Sequence, residues 1–427
     1  MKRIIILVLS LSSFIVSAQN ERLSIVQYNL MWYRTSAPCT HNQSNTARDS
    51  ELETIFNFAN PDIFVVNEMG ANPQNASFMN SSIFNKNSNR YHYASFTSNG
   101  SSLSNMLFYD SSKVVLFGQD FIDKDLSNNS LVRGIDVYKM YYKDAKFSQG
   151  ADTVFFAIIT AHLKAGSTNT DALQRLDATE ALMDYLDNHL SIENVIFCGD
   201  FNVKTNSEPS FQKLINYSSA PSENFFDPVN QLGAWGSNAN FASYHTQSTR
   251  SASSGCHSGG GLDDRFDFIL ISEEIKLGTE EIQYVPNSYS TIGQDGNHYN
   301  QSVNSGANGN VPSNIADALY NFSDHLPVRL QIDIKKSDIG IPEKNLEGRI
   351  EFNNPIQDLL KLKFDKELSE NVELKIMNLT GRVVFQGILE AGTMEQSYNT
   401  ENLSKGIYLM SFRSKSGEQI SKKIVKR

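Results

Sequence analysis

Two ionisable residues, Asp324 and His325, stand side by side in the segment NFSDHLPV, directly before an apolar run. Other polar residues end or occupy apolar, strand-like runs elsewhere in the chain. They are Asn29 in QYNL, Glu68 in VVNE, His162 in TAHL, Asp200 and Asn202 in GDFN, and Asp267 in RFDFIL. Burying a single carboxylate is costly unless it is paired or bound to a metal. One such residue would be a turn or a cap, but this larger set predicts one shared site.

The residue types in this set restrict the chemistry of a shared site. Carboxylate and amide oxygens are ligands that suit Mg²⁺ or Mn²⁺, with Ca²⁺ as an alternative, better than they suit zinc. Two histidines with separate carboxylates nearby suit general acid–base catalysis. No serine or cysteine stands in a nucleophile motif, and the chain has no GxxxxGK[ST] phosphate-binding loop. The set therefore favours metal-assisted attack of water on a phosphorus centre.

The apolar runs that carry these residues alternate with helical patterns. The strand-like runs are LSIVQYNL, DIFVVNE, NMLFY, TVFFAIITAHL, NVIFCGDFN, RFDFILIS and LPVRLQIDI. Apolar faces at helical spacing are formed by Leu52, Ile55, Phe56 and Ala59 and, near residues 171–189, by Leu173, Leu176, Met183 and Leu186. This alternation predicts an α/β domain with strands buried by flanking layers. Ligands of such sheets bind beyond the carboxyl ends of the strands, where these polar residues stand.

The C-terminal part of the chain has a different pattern. Residues 347–427 alternate apolar and polar side chains with period two, with turns at Thr380-Gly381 and Ser416-Gly417. They predict a small all-β domain without a catalytic cluster. The preceding residues 336–346 predict a linker, so residues 19–335 form the predicted catalytic domain.

The first residues and the net charge bear on location and partners. Residues 1–18 combine a short basic start, an apolar run and a small-residue cleavage pattern, which predicts a signal peptide cut before Gln19. A membrane span needs ~20 apolar residues, and neither this run nor any later stretch reaches that length. The formal net charge of −10 argues against charge-driven wrapping of nucleic acid. It does not exclude a local phosphate site that uses a bound cation.

The chain has three cysteines. Cys198 lies within an apolar run and is predicted to be a buried, small hydrophobic residue. Cys39 and Cys256 lie in polar, loop-like surroundings, and an exported protein can keep a disulfide between them. Because His41 and His257 stand close to them in sequence, a metal site is the alternative, although the usual paired zinc spacing is absent.

In chain order, the motifs QYN, VVNE, TAHLKA, GDFN, RFDFIL and SDHLP resemble those of the endonuclease/exonuclease/phosphatase superfamily, which has the deoxyribonuclease I fold. Each motif alone is weak, but six in the family's order are specific. They cover roughly residues 22–335. The resemblance implies a four-layer α/β sandwich with two central sheets, followed here by the small all-β domain.

The same resemblance implies which residues bind the metal ion and the phosphate. Glu68 would be the principal ligand of Mg²⁺ or Mn²⁺, with Asn29 beside it. Asp324 would lie against the metal or the phosphate. Asp200 and Asn202 would orient the attacking water and the scissile phosphate.

The acid–base roles also follow from the resemblance. His325 would be the general base, held by Asp267. His162 would contact the phosphate and protonate the leaving oxygen. Arg133 in LVRGIDVY is a further candidate for a phosphate contact, although the motif match there is poor.

The C-terminal domain resembles the sorting domain of the type IX secretion system of Bacteroidetes. The segments that carry this resemblance are NNPIQDLLKL, ELKIMNLTGRVV, LSKGIYLMSF and the final KKIVKR. It implies recognition by the outer-membrane secretion machinery, followed by release or surface attachment.

These features together predict a secreted, monomeric, metal-dependent phosphodiesterase, with a nuclease acting on extracellular DNA or RNA as the first hypothesis. His162 favours the deoxyribonuclease and sphingomyelinase side of the superfamily. The alternative is a sphingomyelinase-like or other lipid or small-molecule phosphodiesterase or phosphatase.

Overall fold

A computed structural model describes residues 21–35, 38–143, 153–217, 224–335, 350–364, 366–368, 370–414 and 419–427. The predicted signal peptide, residues 1–18, and the predicted linker, residues 336–346, lie outside these residues. No helix in the described part of the chain is long and apolar enough to cross a membrane.

The first central sheet brings together strands from both ends of the predicted catalytic domain. Its strands are β1 (Glu21–Tyr33), β2 (Ile63–Gly70), β3 (Tyr91–Tyr93), β4 (Leu103–Asp110), β10 (Ile282–Tyr284), β11 (Ser290–Thr291) and β12 (Val328–Ile334). Their order is β10-β12-β1-β2-β4-β3, and β11 also pairs with β12. β1 runs parallel to β2 and antiparallel to β12. The end of β1 therefore lies beside the end of β2 and the start of β12.

The second central sheet follows chain order. It contains β5 (Val114–Lys124), β6 (Ser130–Tyr142), β7 (Phe155–His162), β8 (Val195–Asp200) and β9 (Asp267–Ile271). β7 and β8 are parallel, and β9 is antiparallel to β8. This arrangement places His162 opposite Asp200 and Asp200 opposite Asp267.

Helices cover the two sheets and complete a four-layer α/β sandwich. α1 (Asn45–Ala59) packs with α6 (Ser313–Phe322), and its Phe56 ring meets Phe64 of β2 at 5.4 Å. The short α2 (Pro73–Phe78) and a π-helical turn (Met79–Phe84) continue this layer. α3 (Asn169–His189) and α4 (Pro209–Ile215) cover the second sheet, and α5 (Glu273–Leu277) packs beside β10. The predicted fold class is confirmed.

The predicted apolar face of α3 is wrong at one position. Leu173 is 59% exposed, whereas Met183 and Leu186 are buried as expected and Leu176 is half-buried. In the first turns the buried position is Arg175, whose guanidinium donates to Glu208 and to the carbonyl oxygens of Lys164 and Gly166. The buried face of α3 therefore includes the Arg175–Glu208 ion pair, which a search for apolar residues at helical spacing does not detect.

In the described residues of the C-terminal domain, the regular secondary structure consists of strands. They are β13 (Ile350–Phe352), β14 (Leu359–Phe364), β15 (Val372–Asn378), β16 (Val383–Leu389), β17 (Glu395–Asn399), β18 (Gly406–Ser414) and β19 (Gln419–Lys426). They form one sheet in the order β13-β14-β17 and another in the order β16-β15-β18-β19. Both sheets contribute to a common core that includes Leu360, Leu374, Ile376, Met410 and Phe412.

Cys39 and Cys256 form a disulfide across a sequence separation of 217 residues. This bond joins the segment after β1 to the long loop before β9. Cys198 is free and buried, as predicted.

Candidate active site

The strand directions bring the predicted site residues to one edge of the two sheets. Asn29 and Glu68 lie at or near the ends of β1 and β2, while His162 and Asp200 end β7 and β8. Because β9 and β12 run the opposite way, Asp267 begins its strand and Asp324-His325 precedes the next. Six strands thus deliver polar side chains to the same edge.

A bulge in β2 separates the directions of Asn67 and Glu68. The register with β4 shifts between Val66 and Met69, and Glu68 has a φ of 58°, which is unusual for a residue other than glycine. A conformation of this kind costs about 1–3 kcal/mol and persists only where surrounding contacts hold it. Here the Trp32 N–H donates to Glu68 Oε2 at 2.9 Å.

Glu68, Asp200 and His162 form one compact cluster. Their candidate metal-ligating atoms lie within 4.8 Å of one another. Asn29 Nδ2 bridges the two carboxylates, donating to Glu68 Oε1 at 3.2 Å and to Asp200 Oδ2 at 2.9 Å. His162 Nε2 is 3.6 Å from an oxygen of each carboxylate. A half-buried and a buried carboxylate therefore converge on one point.

His325 and Asp267 form a second group that adjoins the first. His325 Nδ1 lies 2.7 Å from Asp267 Oδ2, and the carboxylate is completely buried. The other ring nitrogen, Nε2, is 3.7 Å from Asp200 Oδ2. The imidazole is thus held on one side by a carboxylate and faces the acidic cluster with the other.

The two remaining predicted residues lie at the rim of the cluster. Asn202 has a left-handed φ of 53°, and its backbone N–H donates to Asp200 Oδ1 at 3.0 Å. Its side-chain amide donates to the carbonyl oxygen of Leu163. Asp324 Oδ2 accepts hydrogen bonds from Gln247 Nε2 at 3.2 Å and the Ser258 N–H at 3.1 Å. Asp324 is absent from the three-residue metal clusters found among the described residues.

The carboxylates of the cluster fit a divalent cation. Burial raises the pKa of Glu68 and, together with the neighbouring Asp324, disfavours its charged form. Burial also raises the pKa of Asp200, to which the nearby Asp267 and Glu68 add. Within the described residues, no lysine or arginine forms an ion pair with either carboxylate. A bound cation with a preference for oxygen would compensate both charges.

The two histidines are placed in opposite electrostatic surroundings. Burial lowers the pKa of His162 well below its ordinary value, and the Arg133 charge lowers it further. Burial also opposes a charge on His325, but the carboxylates of Asp267 and Asp200 outweigh it and raise the pKa of that imidazole. The surroundings therefore favour the neutral form of His162 and the charged form of His325.

Arg133 lies next to this cluster. Together with Glu68 and His162, it lines a small cavity at the ends of β2 and β7. One of its terminal nitrogens donates to the carbonyl oxygen of Leu163 at 3.0 Å. The structure therefore places Arg133 beside the cluster, and its role as a phosphate contact stays a prediction.

A polar network between the two sheets supports the site from below. Asn67 Oδ1 accepts from the Asp200 N–H and from Gln27 Nε2, and Gln27 Nε2 also donates to Asp267 Oδ1. Asn67 Nδ2 donates to Asn105 Oδ1, and Asn105 Nδ2 donates in turn to Asp136 Oδ2. The network was not predicted, because single amides inside apolar runs carry no sequence signal. It links both groups of the site through buried hydrogen bonds.

Asp136 makes the stability of this network depend on pH. Burial raises the pKa of Asp136 from 3.8 to about 7, although hydrogen bonds from Thr97 and Asn105 act in the opposite direction. Between these two values the folded state holds a proton that the unfolded chain has released. The folded state is therefore favoured most below about pH 4, and this contribution is lost as the pH rises through about 7.

We expect the Asp136→Asn protein to lose less stability than the native protein between pH 5 and pH 8. An asparagine in one orientation can accept from Asn105 and donate to Thr97, so the hydrogen bonds survive without a charge. From pH 5 to pH 8, the unfolding free energy of the native protein should fall by about 2–4 kcal/mol more than that of the variant. Urea unfolding at several pH values measures it, and parallel pH profiles for the two proteins would contradict the prediction.

Gln247 is a site residue that the sequence did not reveal. Its Nε2 lies 2.7 Å from His325 Nε2 as well as 3.2 Å from Asp324 Oδ2. It belongs to the Ser-, Asn- and Gly-rich loop of residues 236–261, and the only signal was the unusual length of that loop.

Two family models match the chain. The model of the Endonuclease/Exonuclease/phosphatase family matches residues 27–325, and the model of the Secretion system C-terminal sorting domain matches residues 352–427. No curated protein sequence matches significantly.

Several solved structures are similar to this chain. TDP2 from D. rerio complexed with single strand DNA product has a TM-score of 0.45 and 14% identity, covering 73% of this chain and 98% of its own. The catalytic domain of human Nocturnin has a TM-score of 0.48 and 13% identity, covering 74% and 97%. An endonuclease/exonuclease/phosphatase from Beutenbergia cavernae DSM 12333 has a TM-score of 0.41 and 11% identity, covering 95% and 99%.

Proposed function

The chain belongs to the endonuclease/exonuclease/phosphatase family, and from that premise we propose that this phosphoric ester hydrolase is a nuclease acting on extracellular DNA or RNA. The observation that supports the chemistry most directly is the position of the His325–Asp267 pair beside the cluster of Glu68, Asp200 and His162. A base and a cation site therefore face a common point at which a phosphodiester could bind.

We propose Mg²⁺, with Mn²⁺ as a substitute, as the ion of this site. Glu68 and Asp200 would supply its carboxylate ligands, with Asn29 and Asp324 beside them. When bound, the ion would neutralise charge on the phosphate and lower the barrier to attack by water. The feature of this chain that supports such an ion is the pair of neighbouring carboxylates, Glu68 and Asp200, with which no lysine or arginine among the described residues forms an ion pair.

The remaining residues would handle protons and orient the phosphate. His325 would take a proton from the attacking water through Nε2, while Asp267 holds Nδ1 and stabilises the resulting imidazolium. His162 would donate to a phosphate oxygen and protonate the leaving oxygen. Asn202, fixed at the end of β8 by its N–H bond to Asp200, would orient the scissile phosphate.

The sorting domain indicates export to the cell surface or the medium. We propose the domain division already given, with catalysis in residues 19–335 and recognition by the secretion machinery in residues 347–427. An exported enzyme that works as a monomer on nucleic acid outside the cell fits this division. A folded protein truncated after residue 335 that had lost activity would contradict it.

Cleavage of supercoiled plasmid by the mature chain tests the proposed substrate. The protein, beginning at Gln19, is incubated with Mg²⁺, with Mn²⁺ and with chelator, beside Asp200→Ala as the control. Nicking that requires both metal and Asp200 would support the proposal. Intact plasmid and intact RNA, together with hydrolysis of sphingomyelin or of small phosphate esters, would replace the nuclease assignment with the alternative.

A further inference from the structure

The side chain of Gln247 contacts both Asp324 and His325, the adjacent residues that precede β12. Its Nε2 lies 3.2 Å from Asp324 Oδ2 and 2.7 Å from His325 Nε2. One NH₂ group therefore contacts both the rim carboxylate and the nitrogen assigned to proton transfer. Gln247 is only partly buried, so its amide lies at the boundary between the protein and the open site.

Backbone pairing fixes the position of Gln247. Isolated bridges pair it with Asp264 on one side and His325 on the other. The Gln247 N–H donates to the carbonyl oxygen of Asp264 at 3.0 Å, and the Thr249 N–H donates to that of Asp324 at 3.1 Å. The segment thus ties the chain before β9, which carries Asp267, to the chain before β12, which carries His325.

The donors and acceptors around the amide form a consistent set. An amide NH₂ has two hydrogens, which suffice for one bond to Asp324 Oδ2 and one to His325 Nε2. The second bond requires a lone pair on Nε2, which the neutral imidazole of His325 offers when its hydrogen is on Nδ1, 2.7 Å from Asp267 Oδ2. This is the tautomer that a general base needs. The Ser258 N–H is a second donor to Asp324 Oδ2.

We propose that Gln247 is a positioning residue for phosphodiester hydrolysis, holding Asp324 and the Nε2 lone pair of His325 in a fixed relation to each other. This inference rests on the proposed function of the same site. When water or phosphate enters, the amide passes its hydrogen bond from Nε2 to the incoming oxygen and keeps its bond to Asp324. Gln247 thereby orients the base before the substrate arrives and then contacts the reacting group.

The Gln247→Met variant of the full mature chain tests this role, because methionine keeps the length of the side chain and removes both donors. We expect kcat to fall about 10- to 100-fold, the usual result of a small misplacement at a reacting centre, with KM changed much less. Gln294→Met is the matched control, since Gln294 is a buried glutamine in a nearby loop that donates to the carbonyl oxygen of His245. That control should keep its kcat despite a similar loss of thermal stability.

The assay uses bis(p-nitrophenyl) phosphate, a generic phosphodiester, beside plasmid. Activity on the ester but not on plasmid or RNA would overturn the nuclease proposal. The positioning role of Gln247 would still be tested by comparing kcat of Gln247→Met and native protein on the ester. An unchanged kcat in Gln247→Met would overturn the positioning role. A raised kcat would also overturn it, because the amide would then obstruct the water.

A measurement independent of activity completes the test. The chain contains eight histidines, so ¹⁵N-histidine spectra can be assigned at His325 by comparison with His325→Gln. We expect the Nε2 resonance of His325 to shift in the Gln247→Met protein. In the Gln294→Met protein it should keep its native position. An unshifted Nε2 resonance in Gln247→Met would show that the amide does not contact the base, whatever the kinetics.

Discussion

Replacing His325 with alanine is expected to reduce kcat by about 10²–10⁴-fold, the usual contribution of a positioned general base. The imidazole is the only group in the described site that contacts a buried carboxylate through one nitrogen and faces the acidic cluster with the other. In the proposed mechanism, its loss would leave the attacking water without a proton acceptor, while the cluster of Glu68, Asp200 and His162 would remain.

His298→Ala is the matched control for this prediction. His298 Nδ1 lies 2.8 Å from Asp295 Oδ1, and the histidine is buried, so the variant also removes a buried His–Asp contact. It lies in the loop before α6 and has no part in the proposed chemistry. Both variants should lose stability, but only His325→Ala should lose turnover. A His325→Ala enzyme with nearly native kcat would refute the assignment of the base.

Replacing Gly199 with alanine is expected to destabilise the fold by about 3–5 kcal/mol, a large part of the 5–15 kcal/mol typical of native proteins. Gly199 has a φ of 145°, and a Cβ at this position would lie 1.9 Å from the carbonyl oxygen of Ala161. Backbone atoms cannot move away as a side chain can. The parallel strands β7 and β8 would have to separate just where His162 and Asp200 stand opposite each other.

Gly118→Ala provides the comparison in the same sheet. Its Cβ would meet the flexible Lys139 side chain at 3.4 Å, and no unusual φ is involved. Denaturant unfolding of both variants measures the difference, which should amount to several kcal/mol. If Gly199→Ala unfolds at the same denaturant concentration as Gly118→Ala, the close approach of the strands is not as the structure has it.

The fold class and both family resemblances could be predicted because their signals are local. The buried strands are encoded by continuous apolar runs, which end in Asn29, Glu68, His162 and Asp200. The apolar residues at helical spacing around Phe56 all lie on the buried face of α1. The predicted site residues also lie together, because parallel and antiparallel strands bring their carboxyl and amino ends to one edge. Their individual roles stay predictions.

The parts that could not be predicted depend on contacts between distant segments. Gln247 reaches His325 across 78 residues through a loop without an apolar pattern. Asn67 and Asp136 belong to one network only because Asn105 of β4 lies between them and hydrogen-bonds to both. The burial of Arg175 in place of Leu173 required the carboxylate of Glu208 from another segment. In each case the position of the side chain depends on a partner residue that is distant in the sequence.

The disulfide between Cys39 and Cys256 has a consequence for the lifetime of an exported protein among proteases. The loop that it closes contains Glu68, His162 and Asp200, whereas Asn29, Asp267 and His325 lie outside it. A single backbone cut anywhere between the two cysteines would divide the site between two polypeptides. The bond keeps those polypeptides in one molecule, so they can stay assembled and separate on a denaturing gel only after reduction. A proteolytic cut that would let the fragments of an unlinked chain dissociate can therefore leave the site of this protein assembled.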